Sequence, residues 1–472
     1  MLPGVLLALT AKTAYAADKE LLDILLGNGA ITAEQHAQLL QKDELKAEDI
    51  AAAPARPELP VLRLAELERK VEAALAESSA EPSAHWTDSL RVRGYAQTRY
   101  SSLLGGDKGI NLWPDRSVGD ANSLGDADKN FLLRRARLVF QGDAGERLSF
   151  YIQGDFASSV GGSGNVAQLR DAYGDVYLTT DRVHRLRVGQ SKVPFGFENT
   201  QSSSNRLALD RNDALNSAVR DERDLGVFYY YTPELVQQRF SEINELGLKH
   251  NGNYGMLGLG VYNGQGSNRG DRNNNHHVVA RLSYPFELSG GQFFEAGIQA
   301  YSGKYVPSTS SYRGADDLSY TPLIPAEYAA GFTDRRVGVS AIWYPQPFGL
   351  QAEWNWGDTP ALDLATNTIT QGELDGGYVQ AMMKFDTARG TFLPFVKWQY
   401  FDGANKGEAN APLNDVNDIE LGVEWQVAEE VELTAVWHQM NRSNLVTGNR
   451  SSRPDYADFD TDALRLQLQI NY

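Results

Sequence analysis

From Ser89 to the C-terminus, apolar and polar residues alternate in short stretches separated by clusters rich in Gly, Asn and Asp. The last stretch is the clearest. Leu464, Leu466, Leu468, Ile470 and Tyr472 share one parity, and Arg465, Gln467, Gln469 and Asn471 the other. A strand points successive side chains to opposite sides, so this pattern predicts a strand with one apolar and one polar face. The same separation sets Ile419, Leu421, Val423, Trp425 and Val427 against Glu420, Glu424 and Gln426. It sets Leu148, Phe150, Ile152 and Phe156 against Arg147, Ser149, Tyr151, Gln153 and Asp155. Over 131–141, Leu132, Ala136, Leu138 and Phe140 oppose Arg135 and Arg137.

The links between these stretches are unequal. Gly142 to Gly145 and Ala428 to Glu430 read as tight turns, whereas 104–129, 304–333 and 403–415 read as long polar loops. Short turns on one side and long loops on the other are the habit of a membrane barrel. Long unstructured loops would count against a compact soluble domain. No uniformly apolar run reaches the roughly 18 residues of a membrane-spanning helix, which excludes a helical bundle but not spanning strands. Closely spaced charges on the polar faces, such as Arg135 with Arg137 and Arg185 with Arg187, need the water of a wide lumen. Tyr100, Tyr177, Tyr284, Trp343, Tyr344, Trp354, Trp356, Trp398, Tyr400, Trp437 and Tyr472 stand near strand ends, as aromatic girdles do.

The expected fold is all-β: a 16-stranded antiparallel transmembrane β-barrel over 89–472, in the outer membrane of a Gram-negative bacterium. About seventeen strand-like segments are visible, and the even-number rule makes sixteen the expectation and eighteen the alternative. The ambiguous stretch is 224–250, where a tyrosine run and Pro233 fit either an interrupted strand or loop.

Ahead of the barrel the texture differs. Val5 to Leu9 is apolar and Ala14-Tyr15-Ala16 has the small-x-small form of a signal-peptidase site, so residues 1–16 are expected to be a signal peptide. Residues 17–50 read as a short helical segment, with Leu21, Leu22, Leu25 and Leu26 on one stripe. Residues 51–60 form an Ala/Pro linker. Over 61–78, Leu64, Leu67, Val71 and Ala74 fall at the a and d spacings of a short coiled-coil-like helix.

The 472-residue chain has no cysteine, which removes disulfides and thiolate chemistry. Its formal charge of -17 would by itself favour cations in a pore. No catalytic constellation stands out, so no enzyme activity, metal or cofactor is expected. His276 and His277 are adjacent and would point opposite ways in a strand, and His438 has no ligand partner at a metal-binding spacing. Asn414 to Asp418 lacks the spacing of a calcium loop. There is no phosphate-cradling loop and no basic tail for nucleic acid. The informative chemistry is a basic cluster in the first third of the barrel: Arg134, Arg135, Arg137, Arg170, Arg185, Arg187, Lys192, Arg206, Arg211, Arg220 and Arg223. A row of guanidinium groups along a pore would replace an anion's hydration shell stepwise. Asp155, Asp171, Asp175 and Asp210 lie among them and would either orient or cancel them.

The run Phe131 to Phe140 followed by Arg147 to Asp155 resembles the second and third strands of the phosphate-selective porin O and P family. Asp171-Ala172, Gly189 to Glu198, Arg223 to Gly226 and the terminal Leu464 to Tyr472 are similar to its continuation, with Tyr at the end in place of the usual Phe. The resemblance implies a homotrimer of sixteen-stranded barrels in outer-membrane lipid, with a third loop after Phe195 folded into each pore to about Val219. It also implies an N-terminal helical extension, which would touch the cell wall. Position by position, the family's anion-binding arginines fall on Arg135 and Arg211, with Asn212 after the latter, and its aspartate on Asp171. Its loop lysine falls on Asn199 and its first-strand arginine on Tyr95, so two cationic positions are lost. The expected pore-lining and anion-binding set is Arg135, Arg137, Arg185, Arg187, Arg211, Asp171 and Asn199. The expected function is passive diffusion of small ions, anions above all and phosphate among the candidates. A general or cation-leaning porin is the alternative, and a structural surface barrel stands in a different class.

Overall fold

The computed structural model describes residues 86–107, 110, 112, 129–160, 163–313, 319–446 and 455–472. The expected signal peptide, helical segment, linker and coiled-coil-like helix all lie outside the described residues.

The strands run in chain order as β1 (Arg91–Gly106), β2 (Lys129–Asp143), β3 (Leu148–Val160), β4 (Ser163–Tyr177), β5 (His184–Lys192), β6 (Arg223–Tyr231), β7 (Leu257–Tyr262) and β8 (His277–Glu287). They continue as β9 (Phe293–Tyr305), β10 (Phe332–Trp343), β11 (Phe348–Asp363), β12 (Thr368–Met383), β13 (Gly390–Ala404), β14 (Leu413–Ala428), β15 (Val431–Val446) and β16 (Asp455–Asn471). Each pairs antiparallel with its neighbours in sequence, and β1 also pairs with β16, which closes a sixteen-stranded barrel. The sheet contains one further piece, Phe385–Thr387, which continues β12 after a break at Lys384 and pairs with the same strand, β13. The β1–β16 seam runs from Tyr95 opposite Asn471 to Gly106 opposite Thr461, and Gly94 and Tyr472 extend it by one more pair. Gly94 N donates to Tyr472 O at 2.6 Å, and Tyr472 N returns to Gly94 O at 3.0 Å. A Cβ at Gly94 would lie 2.2 Å from Arg137 O and 2.6 Å from the Tyr472 ring, so glycine lets the seam close.

Burial runs opposite to that of a soluble sheet. On β8, Val278 and Leu282 are 52% and 50% exposed, while His277, Arg281 and Ser283 between them are at most 2% exposed. On β16, Leu466, Leu468, Ile470 and Tyr472 face out, and Arg465, Gln467 and Gln469 are enclosed. The same inversion holds on β3 and β14. A continuous apolar belt around a polar interior demands hydrocarbon outside, and a closed sheet leaves no unpaired edge there. The chain is therefore a multi-pass outer-membrane β-barrel. Trp343, Trp356, Trp398, Trp437 and Tyr472 face outward as girdle residues, Trp354 and Tyr400 stacking at 5.9 Å and Trp398 Nε1 donating to Asn417. Tyr177 and Tyr344 do not join them: both are enclosed, and Tyr344 donates to Glu295 at 2.7 Å.

The predicted turns and loops fall where the strand ends require, with one exception. The link 232–256 lies on the side of the short turns, yet it holds helix α1 (Glu234–Glu245). Val236, Phe240 and Ile243 of α1 are buried, and the chain then enters the barrel with Leu248, Lys249, His250 and Asn251 enclosed. The ambiguous 224–250 stretch thus becomes strand β6, a Pro233 helix start and an inward turn. Pro is suited to that start because it lacks the donor that a first helical turn leaves unpaired.

Leu282 lies mid-strand on the apolar belt, so Leu282→Arg is expected to cost about 2–4 kcal/mol if it sits near the membrane midplane. Urea unfolding in lipid vesicles, read by tryptophan fluorescence, should show the midpoint falling, whereas substitutions of exposed loop residues leave it in place.

Candidate functional site

Two irregularities in the ladder decide which cations face the lumen. Between β1 and β2, Gln97 lies opposite Arg135 but Thr98 lies opposite Leu133, which leaves Arg134 as an extra residue. Such a bulge re-aims side chains and reverses the in–out phase beyond it. Arg134 accordingly turns inward beside Arg135, and its Nη2 reaches Asp210 Oδ1 at 3.3 Å. Past the bulge, Phe131 and Leu133 take the outer face and Leu132 lies opposite the enclosed Arg99. The face expected for Leu132, Ala136, Leu138 and Phe140 therefore breaks at Leu132. Between β3 and β4, Gln153 faces Asp171 while Gly154 faces Leu169, so Arg170 is the extra residue. Its side chain is 11% exposed and lies 3.9 Å from Asp221.

The link between β5 and β6, residues 193–222, is folded inside the barrel. It carries the short helices α2 (Phe197–Thr200) and α3 (Asp213–Asn216). The wall holds this link from several strands. The Glu353 carboxylate of β11 accepts from the backbone of Phe197 at 2.6 Å and Glu198 at 2.7 Å. Lys397 of β13 donates to Glu198 at 2.6 Å, and Glu198 also accepts from Asn212 N at 2.7 Å. Arg336 of β10 donates to Ala214 O and Ser217 O at 2.6 and 3.1 Å, and Arg442 of β15 pairs with Asp213 at 2.8 Å. Asn212 caps α3 by accepting from Leu215 N.

Asp210 is the link's central anchor. It pairs with Arg99 of β1 at 2.8 Å, with Arg134 of β2, and with Arg465 of β16. Burial by itself raises a carboxyl, but Arg99, Arg465, Arg134 and Arg135 hold Asp210 well below the usual carboxylate range. From the opposite mouth the inward turn after α1 meets the same link. Gln201 donates to Lys249 O at 2.5 Å, Asn205 to His250 O at 2.6 Å, and Asn251 to Thr200 Oγ1 at 2.7 Å. Lys249 is itself held by Glu424 and Glu432.

The expected site residues divide by how fully they are neutralised. Arg137 donates to Asp155 at 2.8 Å and to Tyr95 and Ser203 at 2.9 Å. Arg187 forms a bidentate pair with Asp175 at 2.7 and 2.8 Å, and Arg185 lies 3.5 Å from the same carboxylate. Asp171 is engaged by Arg223 at 2.9 Å. Asn199 is 1% exposed and donates to Leu215 O at 2.8 Å, so its amide serves the link's own fold. Tyr95, where the resemblance would place an arginine, shares a 2.6 Å hydrogen bond with Ser203.

Arg135 and Arg206 stand apart. Arg135 is 4% exposed, donates to Gln97 at 2.7 Å and forms no ion pair with a carboxylate among the described residues. Arg206, 7% exposed, has Nε and Nη1 buried without a hydrogen-bond partner. Arg211 is held by Asn216 and Glu222, yet its surroundings remain cationic. Burial, then Arg206, Arg135, Arg223 and Arg170, push its guanidinium well below its ordinary value. Since a guanidinium keeps its proton, that direction reflects burial and the crowding of neighbouring guanidinium groups. The sequence marks Arg134, Arg170 and Arg206 only as members of a basic cluster. Strict alternation assigns Arg134 to the lipid side, and the cost of a charge there is the one signal for its bulge.

No group of three or more His, Asp or Glu is arranged to hold a metal among the described residues. His277 pairs with Asp334 at 2.9 Å, and His438 with Asp418 at 3.0 Å. Asp418 also accepts from Gln399, Asn441 N and Arg442, which uses the carboxylate that a calcium loop would need.

An outward apolar belt, a closed polar lumen and charged side chains along it define a porin-type channel for diffusion of ions and small molecules. The profile of the phosphate-selective porin O and P family matches residues 109–472, and the chain belongs to that family. It is a channel protein and not an enzyme. No curated protein matches the chain. Among solved structures it is similar to the outer-membrane channel DcaP of Acinetobacter baumannii at 15% identity and TM-score 0.47, covering 81% of this chain and 97% of that one. It is also similar to in-vitro folded OmpT of Vibrio cholerae, at 10% identity and TM-score 0.48, with 81% and 97% covered. An anion-selective porin from Comamonas acidovorans aligns at 10% identity and TM-score 0.44, with 81% and 99% covered.

Asp210→Asn removes the carboxylate shared by Arg99, Arg134 and Arg465, a loss of about 3–5 kcal/mol for a buried ion pair. Single-channel recordings should show a noisy, multi-level conductance in place of one stable level. Because the folded Asp210 titrates below its unfolded value, its contribution is complete above about pH 4 and is lost as pH falls through the folded value. The wild-type conductance level should accordingly hold from pH 8 to about pH 4 and destabilise only in stronger acid.

Proposed function

We propose that the channel is a passive, anion-preferring porin whose narrowest zone lies where residues 193–222 face β2, β4, β5 and β6. The observation that carries this reading is the pair of enclosed guanidinium groups that form no ion pair with a carboxylate among the described residues, Arg135 and Arg206, beside the crowded Arg211. An anion there gains charge-assisted hydrogen bonds that no protein carboxylate already occupies. Phosphate is one of the anions this zone accommodates. The phenol at Tyr95 and the inward-bound Asn199 leave it with fewer cations than the family resemblance implies.

The overall charge of -17 does not oppose this reading. Glu373, Asp402, Asp415, Asp458 and Asp460 are exposed toward the loop ends of β12 to β16, on the outside of the barrel. Fields from such sites are screened by salt over about 10 Å, while an enclosed guanidinium acts on the ion beside it. The barrels associate as homotrimers in outer-membrane lipid, as the family resemblance implies, and the segment ahead of the barrel contacts the cell wall.

The test is the zero-current reversal potential of the purified protein in a planar bilayer under a salt gradient, repeated with phosphate. The expected result is an anion-side potential, with chloride current reduced by phosphate. In Arg135→Ala/Arg206→Ala the anion-to-cation permeability ratio should fall about ten-fold, since a hydrogen bond to a charged group contributes about 1.5 kcal/mol. A cation-side potential in the wild type would instead identify a general porin built on the family scaffold.

A further inference from the structure

Beside the anion zone, on the periplasmic side, lies a cavity of about 1430 Å³ whose wall is rich in phenols. Tyr151 and Tyr173 stack nearly parallel, with centroids 5.2 Å apart and planes 10° apart. The Arg187 guanidinium covers Tyr173 at 3.7 Å, and Tyr254, carried in by the turn after α1, lies 5.7 Å from the same guanidinium. Tyr254 meets Tyr230 edge-on at 6.1 Å. The hydroxyls of Tyr173 and Tyr254 make no hydrogen bond among the described residues, and the buried Tyr230 hydroxyl has no partner.

The buried guanidinium groups beside the tyrosine wall of this cavity are already paired, unlike the exposed Arg91 and Arg93 at its rim. Arg187 commits its in-plane donors to Asp175, and Arg223 commits its own to Asp171 and Glu222. They offer a small oxyanion no free fork. What the wall does offer is a stack of rings and a guanidinium plane, with phenol donors at the edges. Such a surface favours a planar, weakly hydrated group by stacking and cation–π attraction. Arg137, which lines the cavity, is two residues along β2 from Arg135.

We propose that the cavity is a binding subsite for ring-bearing organic anions, namely aromatic carboxylates. The ring lies against Tyr254 and the edge of the Tyr151–Tyr173–Arg187 stack, and the carboxylate is directed along β2 past Arg137 toward Arg135. The proposal rests on the anion-preferring reading and names a solute class for it.

The experiment compares block of the chloride current by benzoate and by acetate, both singly charged at pH 7, added to the periplasmic side of a planar bilayer. Benzoate should half-block at a concentration about three- to ten-fold lower than acetate, the range a single aromatic contact supplies. Tyr173→Leu and Tyr254→Leu should each bring the ratio toward one, while Tyr173→Phe, which keeps the ring, should retain it. Equal block by the two anions in the wild type, with an anion-side reversal potential, overturns the subsite and leaves the anion reading standing. A cation-side potential with no block by either overturns both. Should a leucine variant fail to insert, the wild-type ratio together with Tyr173→Phe decides: a ratio near one in the wild type, or its loss in the phenylalanine variant, refutes stacking on the ring.

Discussion

Every feature of this molecule follows from the need to satisfy backbone hydrogen bonds where no water is present. A sheet in hydrocarbon cannot leave an edge unpaired, so β1 must find β16. The seam closes through reciprocal bonds between Gly94 and Tyr472, at a position where a side chain would strike the neighbouring strand. Closure then fixes which parity of each strand faces lipid, and that inverts the usual distribution of polarity. Leu282 and Ile298 are about half exposed, while Arg281, Glu295 and Gln299 beside them are enclosed.

An enclosed polar interior creates its own demand, because charges away from bulk water need partners. The lumen meets it largely by pairing strand to strand and strand to inward link: Arg187 with Asp175, Arg223 with Asp171, Lys397 with Glu198, Arg442 with Asp213. These pairs fasten residues 193–222 to the wall across several strands. What remains unbalanced is local, at Arg135 and Arg206, and it lies where two bulges have already turned Arg134 and Arg170 inward. The net charge of the chain does not reveal which enclosed charges are paired.

The two mouths differ as a result. Beside the inward link, Arg206 keeps two buried donors without a hydrogen-bond partner among the described residues. On the periplasmic side Arg187 pairs with Asp175 and is covered by the Tyr173 ring, and the turn following α1 brings Tyr254 and His250 to that wall. The amphipathic helix and its inward continuation occupy a place where the other links are tight turns, and the segment after the helix hydrogen-bonds to the inward link through Gln201, Asn205 and Asn251.

The alternation of residues in β3, β14 and β16 was enough to predict a membrane barrel and the side each of their residues faces, because parity is a local property of a strand. The arginine-rich first third was equally legible as a basic cluster. Parity misleads where a bulge shifts it, as at Leu132 and Arg134, because a bulge depends on which residue of the next strand is paired, and no single strand records that. Tyr177 and Tyr344 read as girdle residues by composition, but register turned them inward. The count of sixteen strands was expected from the even-number rule, but the interruption at Lys384 and the unbroken strand over 223–231 came from pairing across the sheet. Which arginines are neutralised and which are not was decided only by tertiary structure, since the carboxylates that meet them, Asp155, Asp175 and Asp210, arrive from other strands and from the inward link. The sequence by itself determined the fold class, since polarity at each position is written there. The charge balance of the lumen depends on distances between segments far apart in the chain, and only the closed barrel sets them.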